Sequence, residues 1–335
     1  MKTTLKLLLA CAVLATPLFS LTGCGCGFDC SSDDDDDGPG LLTLSLSDSL
    51  PEELEEVFIT IDSITLNRSG SEDVTINTFT VNAQEVDTVQ VDLLDYPGAR
   101  RLQIVDSLAV ETGSISSVEL SIIADDVNSA YVLERDSDEQ LPLDVASSFT
   151  IPGFRLNSGE QEFVIEFSLA RALNQSSSGD YRLSTEGVDT VNVNTASILS
   201  GTIDSALFDS EAPCSEKESP TEGNRLYLYE GSDLGDAVLA DVFNSGNSND
   251  LPDGAVAPIA VASINFDDFG NDGWRYSFGH LPAGEYTMAF ACDTSSDDSV
   301  SYDELTIPFP ENQVYPLTLT EGQDSTCNIT QEPDC

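Results

Sequence analysis

Only one histidine, His280, is present in this 335-residue chain, so any reaction that needs an imidazole must use it. Catalysis of the Ser-His-Asp or Cys-His type places such a base beside an activated hydroxyl or thiol. No Gly-x-Ser-x-Gly motif accompanies His280, which lies in a turn-like segment from Gly279 to Gly284. We therefore interpret His280 as a turn residue and predict that the chain is not an enzyme.

The densest group of oxygen ligands is formed by Asp267, Asp268, Asn271 and Asp272, followed by Gly273. Calcium prefers about six to eight oxygen ligands from a flexible loop. The spacing does not match an EF-hand, and such clusters also arise by chance in a very acidic chain. The sequence therefore offers these four residues as a candidate calcium site and predicts no other cofactor.

The charge of the chain restricts its partners. Lys and Arg number 12 against 60 Asp and Glu, which gives a net charge of −48. Binding to nucleic-acid phosphates needs clustered cations, so we predict no nucleic-acid partner. Solubility in a salty medium explains the acidity most simply, because salt screens the repulsion; specific binding of divalent cations is the alternative.

The sequence contains no specific pattern for glycoside hydrolysis or for the binding of phosphates and dinucleotides. Carboxylates are so abundant that pairs of them do not identify a glycosidase, which needs two carboxyls at a fixed separation in a cleft. Phosphate-binding loops and dinucleotide fingerprints are absent from the sequence.

The first residues have the composition of an export signal. Lys2 and Lys6 precede an apolar run, 7–19, which is shorter than the roughly 20 residues that a membrane-spanning helix needs. The segment Leu21-Thr22-Gly23-Cys24 then resembles the lipobox of bacterial lipoproteins. This resemblance implies a signal peptide over 1–23, a lipid on Cys24 and attachment to the membrane through that lipid. Because Gly25 rather than an aspartate follows Cys24, we expect the outer membrane in a cell with two membranes.

Six cysteines remain beyond Cys11 of the leader and the lipid-bearing Cys24. An even number in an exported protein predicts disulfides, although the count alone leaves the connectivity open. The favoured pairs are Cys214–Cys292, Cys327–Cys335 and Cys26–Cys30. A zinc site is the alternative for Cys26 and Cys30, but no second close pair of cysteines and no further histidine support it.

The rest of the chain is organised as a tether followed by many short strands. Residues 24–40 include the run Asp33 to Asp37 and cannot form a core. After them, alternating apolar and polar residues recur between turn signals, as in 42–46, 57–66 and 163–167, and helical turns are expected only at 51–56 and 169–173. This pattern predicts an all-β fold of two antiparallel β-sandwiches in series, 41–197 and 198–335. Strands of the second sandwich are expected at 201–204, 226–229, 256–264, 274–278, 286–291, 305–309 and 315–319.

An ordered set of motifs gives the first sandwich a family resemblance. The segments 44–51 and 57–64, then 91–94 and later 163–167, resemble the bacterial domain of unknown function 4382 in order and spacing over residues 41–197. The resemblance implies a β-sandwich module, often carried on lipoproteins, with no assigned activity. The stretch 182–193 departs from the pattern.

The second sandwich resembles transthyretin-like or carboxypeptidase-regulatory-like modules. The resemblance is carried by the segment 273–286, in which an aromatic strand runs into the turn Leu281-Pro282-Ala283-Gly284-Glu285-Tyr286. The resemblance implies a module that binds or spaces, with Gly284 expected to adopt a positive φ.

The sequence thus predicts a non-enzymatic, lipid-anchored protein of the cell envelope that acts as a binding or structural module. Its partner is expected to be an envelope protein or glycan that the sequence does not identify. Two alternatives come from other classes: a calcium-dependent adhesin, and a hydrolase that acts on envelope polysaccharide. A cleft lined by two carboxylates would favour the hydrolase.

Overall fold

A computed structural model describes residues 38–49 and 54–335. Gaps remain at 125, 136, 138, 177, 209, 211, 213, 218–221, 233, 235, 236, 243–250, 268–272, 296, 298–301, 303 and 332–334. The described residues are nearly all in β-strands and their connections, as the alternating sequence predicts. None of the described helices has the length and apolarity to cross a membrane.

Sixteen strands form the first sandwich. They are β1 (Gly40–Ser49), β2 (Leu54–Arg68), β3 (Val74–Ile76), β4 (Phe79–Val81), β5 (Gln84–Val86), β6 (Val89–Asp92), β7 (Leu102–Val110), β8 (Gly113–Ile122), β9 (Tyr131–Glu134), β10 (Gln140–Val145), β11 (Ser148–Pro152), β12 (Arg155–Leu156), β13 (Gly159–Ser168), β14 (Leu173–Gln175), β15 (Tyr181–Leu183) and β16 (Val188–Asn192). A 3-10 helix covers Leu93–Asp95, and the expected helical turn is α1 (Leu169–Ala172).

Two sheets of this sandwich enclose its core. One has the order β16-β13-β1-β7, and the larger has the path β11-β8-β2-β9-β10-β15-β14, to which β3, β6 and β12 are attached. Alternate residues of β1 and β13 join those of β2 in one buried cluster, including Leu44, Ile165 and Ile59. Because strand side chains alternate between faces, the neighbouring residues of β1 and β13 point out of the sandwich.

Two strand pairs in the first sandwich are parallel, a departure from the expected antiparallel arrangement: the short pair β10 and β15, and the long pair β1 and β13. β1 lies between β7 and β13 and is antiparallel to β7 but parallel to β13 over its whole length, from Gly40 opposite Gly159 to Ser49 opposite Ser168. Parallel neighbours require a long connection, which more than a hundred intervening residues provide. Local sequence patterns carry no information about such a distant partner.

Ten strands form the second sandwich. They are β17 (Ser197–Ile203), β18 (Arg225–Glu230), β19 (Val238–Leu239), β20 (Ala255–Val256), β21 (Ala260–Ser263), β22 (Asn265–Asp267), β23 (Gly273–Leu281), β24 (Gly284–Ala291), β25 (Val314–Leu319) and β26 (Ser325–Thr326). Short 3-10 helices cover Ser205–Leu207 and Cys214–Glu216. The two main sheets have the orders β22-β23-β17-β26 and β21-β18-β24-β25.

The sheet that contains β18 and β24 is buried on both faces. One face packs Leu226, Leu228 and Phe290 against Phe278 of the other sheet. The opposite face packs Tyr227 and other side chains into a separate cluster beneath the following loops. Burial on both faces explains why apolar and aromatic residues follow one another in these two strands, as in Leu226–Tyr229 and Met288–Ala291, rather than alternating with polar ones.

Among the described residues, two disulfide bonds cross-link the second sandwich. Cys214 and Cys292 are joined across 78 residues of sequence, and Cys327 and Cys335 across 8. These are two of the three pairings favoured by the sequence; Cys26 and Cys30 lie outside the described residues. In a chain-entropy treatment the longer link stabilises the fold by about 4 kcal/mol, because it restricts the unfolded chain more.

Some expected elements differ from those observed. Residues 305–309 make only a single bridge, between Phe309 and Ala291, instead of a strand. Pro308 and Pro310 have no backbone N–H to donate to a sheet, which accounts for the interruption. The helical turn expected at 51–56 gives way at Leu54 to β2, since Leu54 and Val57 are needed in the core.

Candidate functional site: the cleft between the two sandwiches

Most of the site residues proposed from the sequence lie outside the described part of the chain: Cys24, Cys26, Cys30, Asp268, Asn271 and Asp272. Asp267 is the last residue of β22. Among the described residues, no three His, Cys, Asp or Glu side chains are grouped as a metal site would require. Lipidation of Cys24 and calcium binding at 267–272 therefore stay predictions.

The two sandwiches meet through small and polar groups. The outward side chains Ser45 and Ser47 of β1 are fully or almost fully buried, and β1 lies against β21 of the second sandwich. Within the first sandwich, the Ser47 hydroxyl donates to the carbonyl oxygen of Gly98 at 3.2 Å, and Gly98 in turn lies against the second sandwich. An outward face that would ordinarily meet water is thus covered, and serines satisfy part of its hydrogen bonding.

The closest approach between the sandwiches involves backbone against backbone. A Cβ atom added to Gly279 would lie 1.9 Å from the carbonyl oxygen of Gly98, and one added to Gly98 would lie 3.0 Å from the carbonyl oxygen of Ser277. Carbon and oxygen atoms do not approach to 1.9 Å without a bond. Gly279 therefore requires glycine, because any side chain would force the strands apart, and Gly98 favours glycine because its φ is +62°.

His280 connects the sandwiches instead of lying in an exposed turn. It belongs to β23, its side chain is 2% exposed, and its Nδ1 lies 3.1 Å from Oε2 of Glu166 in β13. Its φ is +50°, whereas the positive φ expected at Gly284 is absent. Among the described residues Nε2 has no hydrogen-bond partner. A non-glycine residue in this conformation is strained, so the surrounding contacts must hold it there.

A cleft of about 1110 Å³ opens between the sandwiches beside this contact. One wall is the outward face of the sheet β22-β23-β17-β26. We call it the polar wall and define it by seven residues: Ser200, Thr202, Asn265, Arg275, Ser277, Thr326 and Asn328. All seven line the cleft. A volume of this size accommodates a small-molecule ligand or several units of a polymer.

The strand register places the residues of the polar wall in two adjacent rows. In the first row Arg275 of β23 lies between Asn265 of β22 and Thr202 of β17. The Thr202 hydroxyl and amide both donate to Oδ1 of Asn328 at 3.0 Å. The second row runs from Ser277 through Ser200 to Thr326.

Alternation along β17 and β23 explains why this wall is polar. Leu199 and Ile203 of β17, with Tyr276 and Phe278 of β23, point into the core. The residues between them, such as Thr202 and Ser277, point out. The aromatic strand singled out from the sequence therefore forms the core with one set of side chains and lines the cleft with the other.

The opposite side of the cleft carries two neighbouring carboxylates. Glu166 of β13 is directly opposite Asp189 of β16 in an antiparallel pair, and both line the cleft. Residues opposite each other have Cβ atoms about 4.5–5.5 Å apart. We call Glu166 and Asp189 the acidic wall. Its partly buried member, Glu166, is the residue that contacts His280.

The cleft is much less acidic than the rest of the chain. Arg100, Arg171 and Arg275, three of the 12 basic residues, line it together with only four of the 60 acidic residues. The four are Glu166, Asp189, Glu230 and Glu285. Three positive against four negative side chains leave the cleft close to neutral, whereas the whole chain carries a net charge of −48.

Two tyrosines that line the cleft are held in their neutral form. Burial raises the pKa of Tyr276, whose hydroxyl donates to the carbonyl oxygen of Cys327 at 2.7 Å. Burial, and then the charge of Glu230, raises the pKa of Tyr286. Both phenols therefore serve as hydrogen-bond donors to the protein backbone and fix the strands behind the cleft.

The cleft beside His280 presents groups that can bind a ligand. No serine or cysteine hydroxyl or thiol among the described residues lies within hydrogen-bond distance of His280 Nε2. A Ser-His or Cys-His nucleophile therefore has no structural basis here. What the cleft offers is a face of hydroxyl, amide and guanidinium groups opposite two carboxylates.

Sequence reasoning did not identify this cleft as a site. Two segments of the sequence, 197–203 and 273–281, nevertheless contain a pattern that points to it. Their apolar residues alternate with serine, threonine, glycine and arginine, rather than with the acidic residues that are common elsewhere. The meeting of His280 with Glu166, which lies 114 positions earlier in the chain, is a property of the tertiary structure.

Comparison with protein families confirms the resemblance proposed for the first sandwich. Residues 39–185 match the family described as domain of unknown function DUF4382. This range begins just before β1 and includes β15. No curated protein matches the sequence. The resemblance of the second sandwich to transthyretin-like or carboxypeptidase-regulatory-like modules stays a prediction.

Solved structures show only distant similarity. A candidate adhesin from Bacteroides ovatus is 9% identical, with 92% of this chain and 100% of that chain covered and a TM-score of 0.17. A candidate cell adhesion protein from Bacteroides fragilis is 9% identical, with coverages of 88% and 94% and a TM-score of 0.23. A leucine-rich repeat protein from Bacteroides thetaiotaomicron is 11% identical, with 88% of this chain but 26% of that chain covered and a TM-score of 0.18. TM-scores this low do not define a shared fold.

Proposed function

We propose that this chain is a lipid-anchored binding protein of the bacterial cell envelope, which holds its ligand in the cleft between the sandwiches without transforming it. The observation that carries the proposal is the cleft of about 1110 Å³ with the seven-residue polar wall on one side. Such a concave site with converging polar groups is typical of a ligand-binding pocket. The signal peptide and the lipobox supply the envelope location and the anchor.

The anchor is tested by mass spectrometry of the mature N-terminus. We expect the chain to begin at Cys24 with a diacylglyceryl group on its sulfur, and we expect Cys24→Ser to leave the leader attached. Cell fractionation should place the wild-type protein with the outer membrane if the cell has two membranes. An unmodified N-terminus on a protein recovered from the cytoplasm would contradict the anchored location.

The cleft is tested by filling it. Ser200 is half-buried in the second row of the polar wall, next to Ser277 and Thr326, so Ser200→Trp places an indole where a ligand would lie. Thr150→Trp is the matched control, because Thr150 is exposed on β11 and does not line the cleft. Immobilised protein is exposed to envelope extract, and the retained material is measured with and without a chelator.

We expect Ser200→Trp to reduce retention at least about tenfold, Thr150→Trp to leave it unchanged, and the chelator to have no effect. Equal retention by both tryptophan variants would show that binding occurs elsewhere. Loss of retention with the chelator in the wild-type protein would instead favour the calcium-dependent adhesin. Circular dichroism of each variant shows whether the fold is retained.

A second candidate function is a polysaccharide hydrolase, because Glu166 and Asp189 form a close pair of carboxylates in the cleft. Retaining glycosidases use carboxyl groups about 5–5.5 Å apart. Here, however, Oε2 of Glu166 is engaged by His280. Release of reducing ends from envelope polysaccharide by the wild-type protein, lost in Glu166→Gln, would establish this function in place of simple binding.

A further inference from the structure

We infer that the ligand of the cleft is an uncharged saccharide, a chain of neutral sugars. This inference rests on the proposed binding function and specifies its ligand class. Three properties of the cleft support it: hydroxyl and amide groups that remain open to a ligand, charges of both signs that nearly balance, and a polar wall that is the face of a sheet rather than its edge.

The uncharged groups of the polar wall suit a ligand that both donates and accepts hydrogen bonds at many points. Six of its seven residues are serine, threonine or asparagine, whose side chains can do both, as can sugar hydroxyls. The side chains of Ser200, Ser277 and Thr326 have no hydrogen-bond partner among the described residues. Oδ1 of Asn328 accepts both donors of Thr202, which leaves the amide hydrogens of this exposed residue for a ligand.

The charged side chains of the cleft do not select an ion. Arg275 already takes part in an interaction within the protein. Oε2 of Glu166 is engaged by His280, and Oε2 of Glu285 accepts the hydroxyl hydrogen of Ser232 at 3.0 Å. The other four charged residues are exposed, two of each sign: Arg100, Arg171, Asp189 and Glu230. Any charged ligand would therefore meet repulsion as well as attraction, whereas a neutral ligand meets neither.

The place of the polar wall in its sheet favours a saccharide over a peptide. Its two central strands are each paired on both sides, β17 with β23 and β26, and β23 with β17 and β22. Extended peptides bind at an open sheet edge, where the main chain offers hydrogen bonds. Because β17 and β23 lie inside the sheet, the surface that they present to the cleft consists of side chains, and these are mainly hydroxyl groups.

The spacing of these groups fits an extended ligand. Adjacent strands lie about 4.7–4.9 Å apart, so the row from Ser277 through Ser200 to Thr326 presents hydroxyl groups at regular intervals across three strands. A repeating array of this kind matches a polymer with repeating hydroxyl groups better than a compact metabolite. Leu199 and Phe278 point to the other face of the sheet, so the array offers little to a hydrophobic ligand.

The experiment exposes the immobilised full chain to envelope extract of the source bacterium that has first been digested with protease. We expect material to be retained after this digestion, to pass through an anion exchanger without binding, and to yield only neutral sugars on acid hydrolysis. We expect its retention to change less than about twofold between roughly 0.05 and 0.5 M salt, because salt screens only interactions between charges. A charged ligand would be lost as the salt concentration rises.

A double variant, Ser200→Ala with Thr326→Val, tests the hydroxyl groups of the second row. It removes two hydroxyls that have no partner among the described residues, and it changes the shape of the cleft little. We expect calorimetry to show about tenfold weaker binding of the purified saccharide, as for the loss of two ordinary hydrogen bonds. Thr150→Val is the matched control, because it removes an exposed hydroxyl of β11 outside the cleft.

The outcomes separate this inference from the proposed function. Retention that protease abolishes, that high salt abolishes or that yields acidic sugars overturns the neutral saccharide. If Ser200→Trp still reduces that retention, the proposed function stays in place. Unchanged affinity in the double variant overturns the role of the polar wall in recognising the saccharide. A neutral saccharide retained equally by Ser200→Trp would bind outside the cleft and would overturn both, as would a wild-type protein that retains nothing. If the double variant fails to fold, the composition and salt dependence measured on the wild-type protein still decide the ligand class.

Discussion

Asp297→Asn is expected to lower the free energy of unfolding of the second sandwich by about 3–5 kcal/mol. Asp297 forms an ion pair with Arg225, and their side chains are 1% and 5% exposed. The same carboxylate accepts the hydroxyl hydrogen of Tyr227 at 2.8 Å. An amide of equal size removes the negative charge beside a guanidinium that stays buried, and breaking a buried ion pair by removing one charge is costly.

The matched control is a surface ion pair in the first sandwich. Asp144 and Arg182 lie 3.3 Å apart with side chains 68% and 71% exposed, so Asp144→Asn should cost less than about 1 kcal/mol. Urea unfolding can be followed by the fluorescence of Trp274, the only tryptophan. Its ring packs against Phe208 and Phe266 in the second sandwich, so it reports on that half directly.

The double variant Arg225→Met with Asp297→Asn separates two effects: the loss of the Arg225–Asp297 attraction itself, and the cost of keeping the Arg225 charge buried after the Asp297 charge is removed. If the penalty of the single variant comes from leaving Arg225 without its counter-ion, removing both charges should recover part of the lost stability. A single variant no more destabilised than Asp144→Asn would show that water or other groups already solvate this pair. Equal slopes of the unfolding curves are needed for the comparison.

Local patterns were sufficient to predict the class of fold and many of its strands. In 42–46 and 163–167 the alternation of apolar and polar residues corresponds to β1 and β13, which bury one set of side chains in the core. The pairings of Cys214 with Cys292 and of Cys327 with Cys335 were among those favoured from the sequence. Disulfide pairing in small β-domains is restricted by which strand ends lie close together.

Alternation does not reveal what covers the outward face of a strand. Ser45 and Ser47 of β1 have the pattern of solvent-facing residues but are buried, because the segment 96–98 and strand β21 of the second sandwich lie against β1. The same limit applies to His280, whose glycine-rich neighbourhood predicts a turn. It becomes part of β23, which pairs with β17, and Glu166, far away in sequence, provides a partner for its buried ring.

The second large effect is expected from Gly279→Ala, which adds one methyl group to the contact between the sandwiches. That Cβ would meet the Gly98 carbonyl oxygen at 1.9 Å, so the strands must move apart by more than an ångström. Overpacking of this kind costs about 1–3 kcal/mol and sometimes more. Because the cleft lies beside this contact, ligand binding should weaken together with stability.

Gly284→Ala is the matched control for Gly279→Ala. Neither glycine has a positive φ, so both substitutions gain the same small advantage from restricting the unfolded chain. At Gly284 the nearest neighbour of the new Cβ is the ring of Tyr286 at 3.3 Å. A shift of that ring by a few tenths of an ångström would restore an ordinary van der Waals contact. A difference between the two variants therefore measures the backbone contact itself.

The single histidine provides a direct measurement of that contact. In the wild-type protein the Nδ1 hydrogen of His280 is buried and hydrogen-bonded to Glu166, so it should exchange slowly and give one imidazole N–H resonance in water. We expect Gly284→Ala to retain this resonance and Gly279→Ala to lose it, because separation of the sandwiches exposes the hydrogen to solvent. Retention of the resonance, of wild-type stability and of ligand binding in Gly279→Ala would mean that the sandwiches can separate at Gly98 without opening the cleft. Loss of all three would show that one backbone contact determines both the interface and the shape of the binding site.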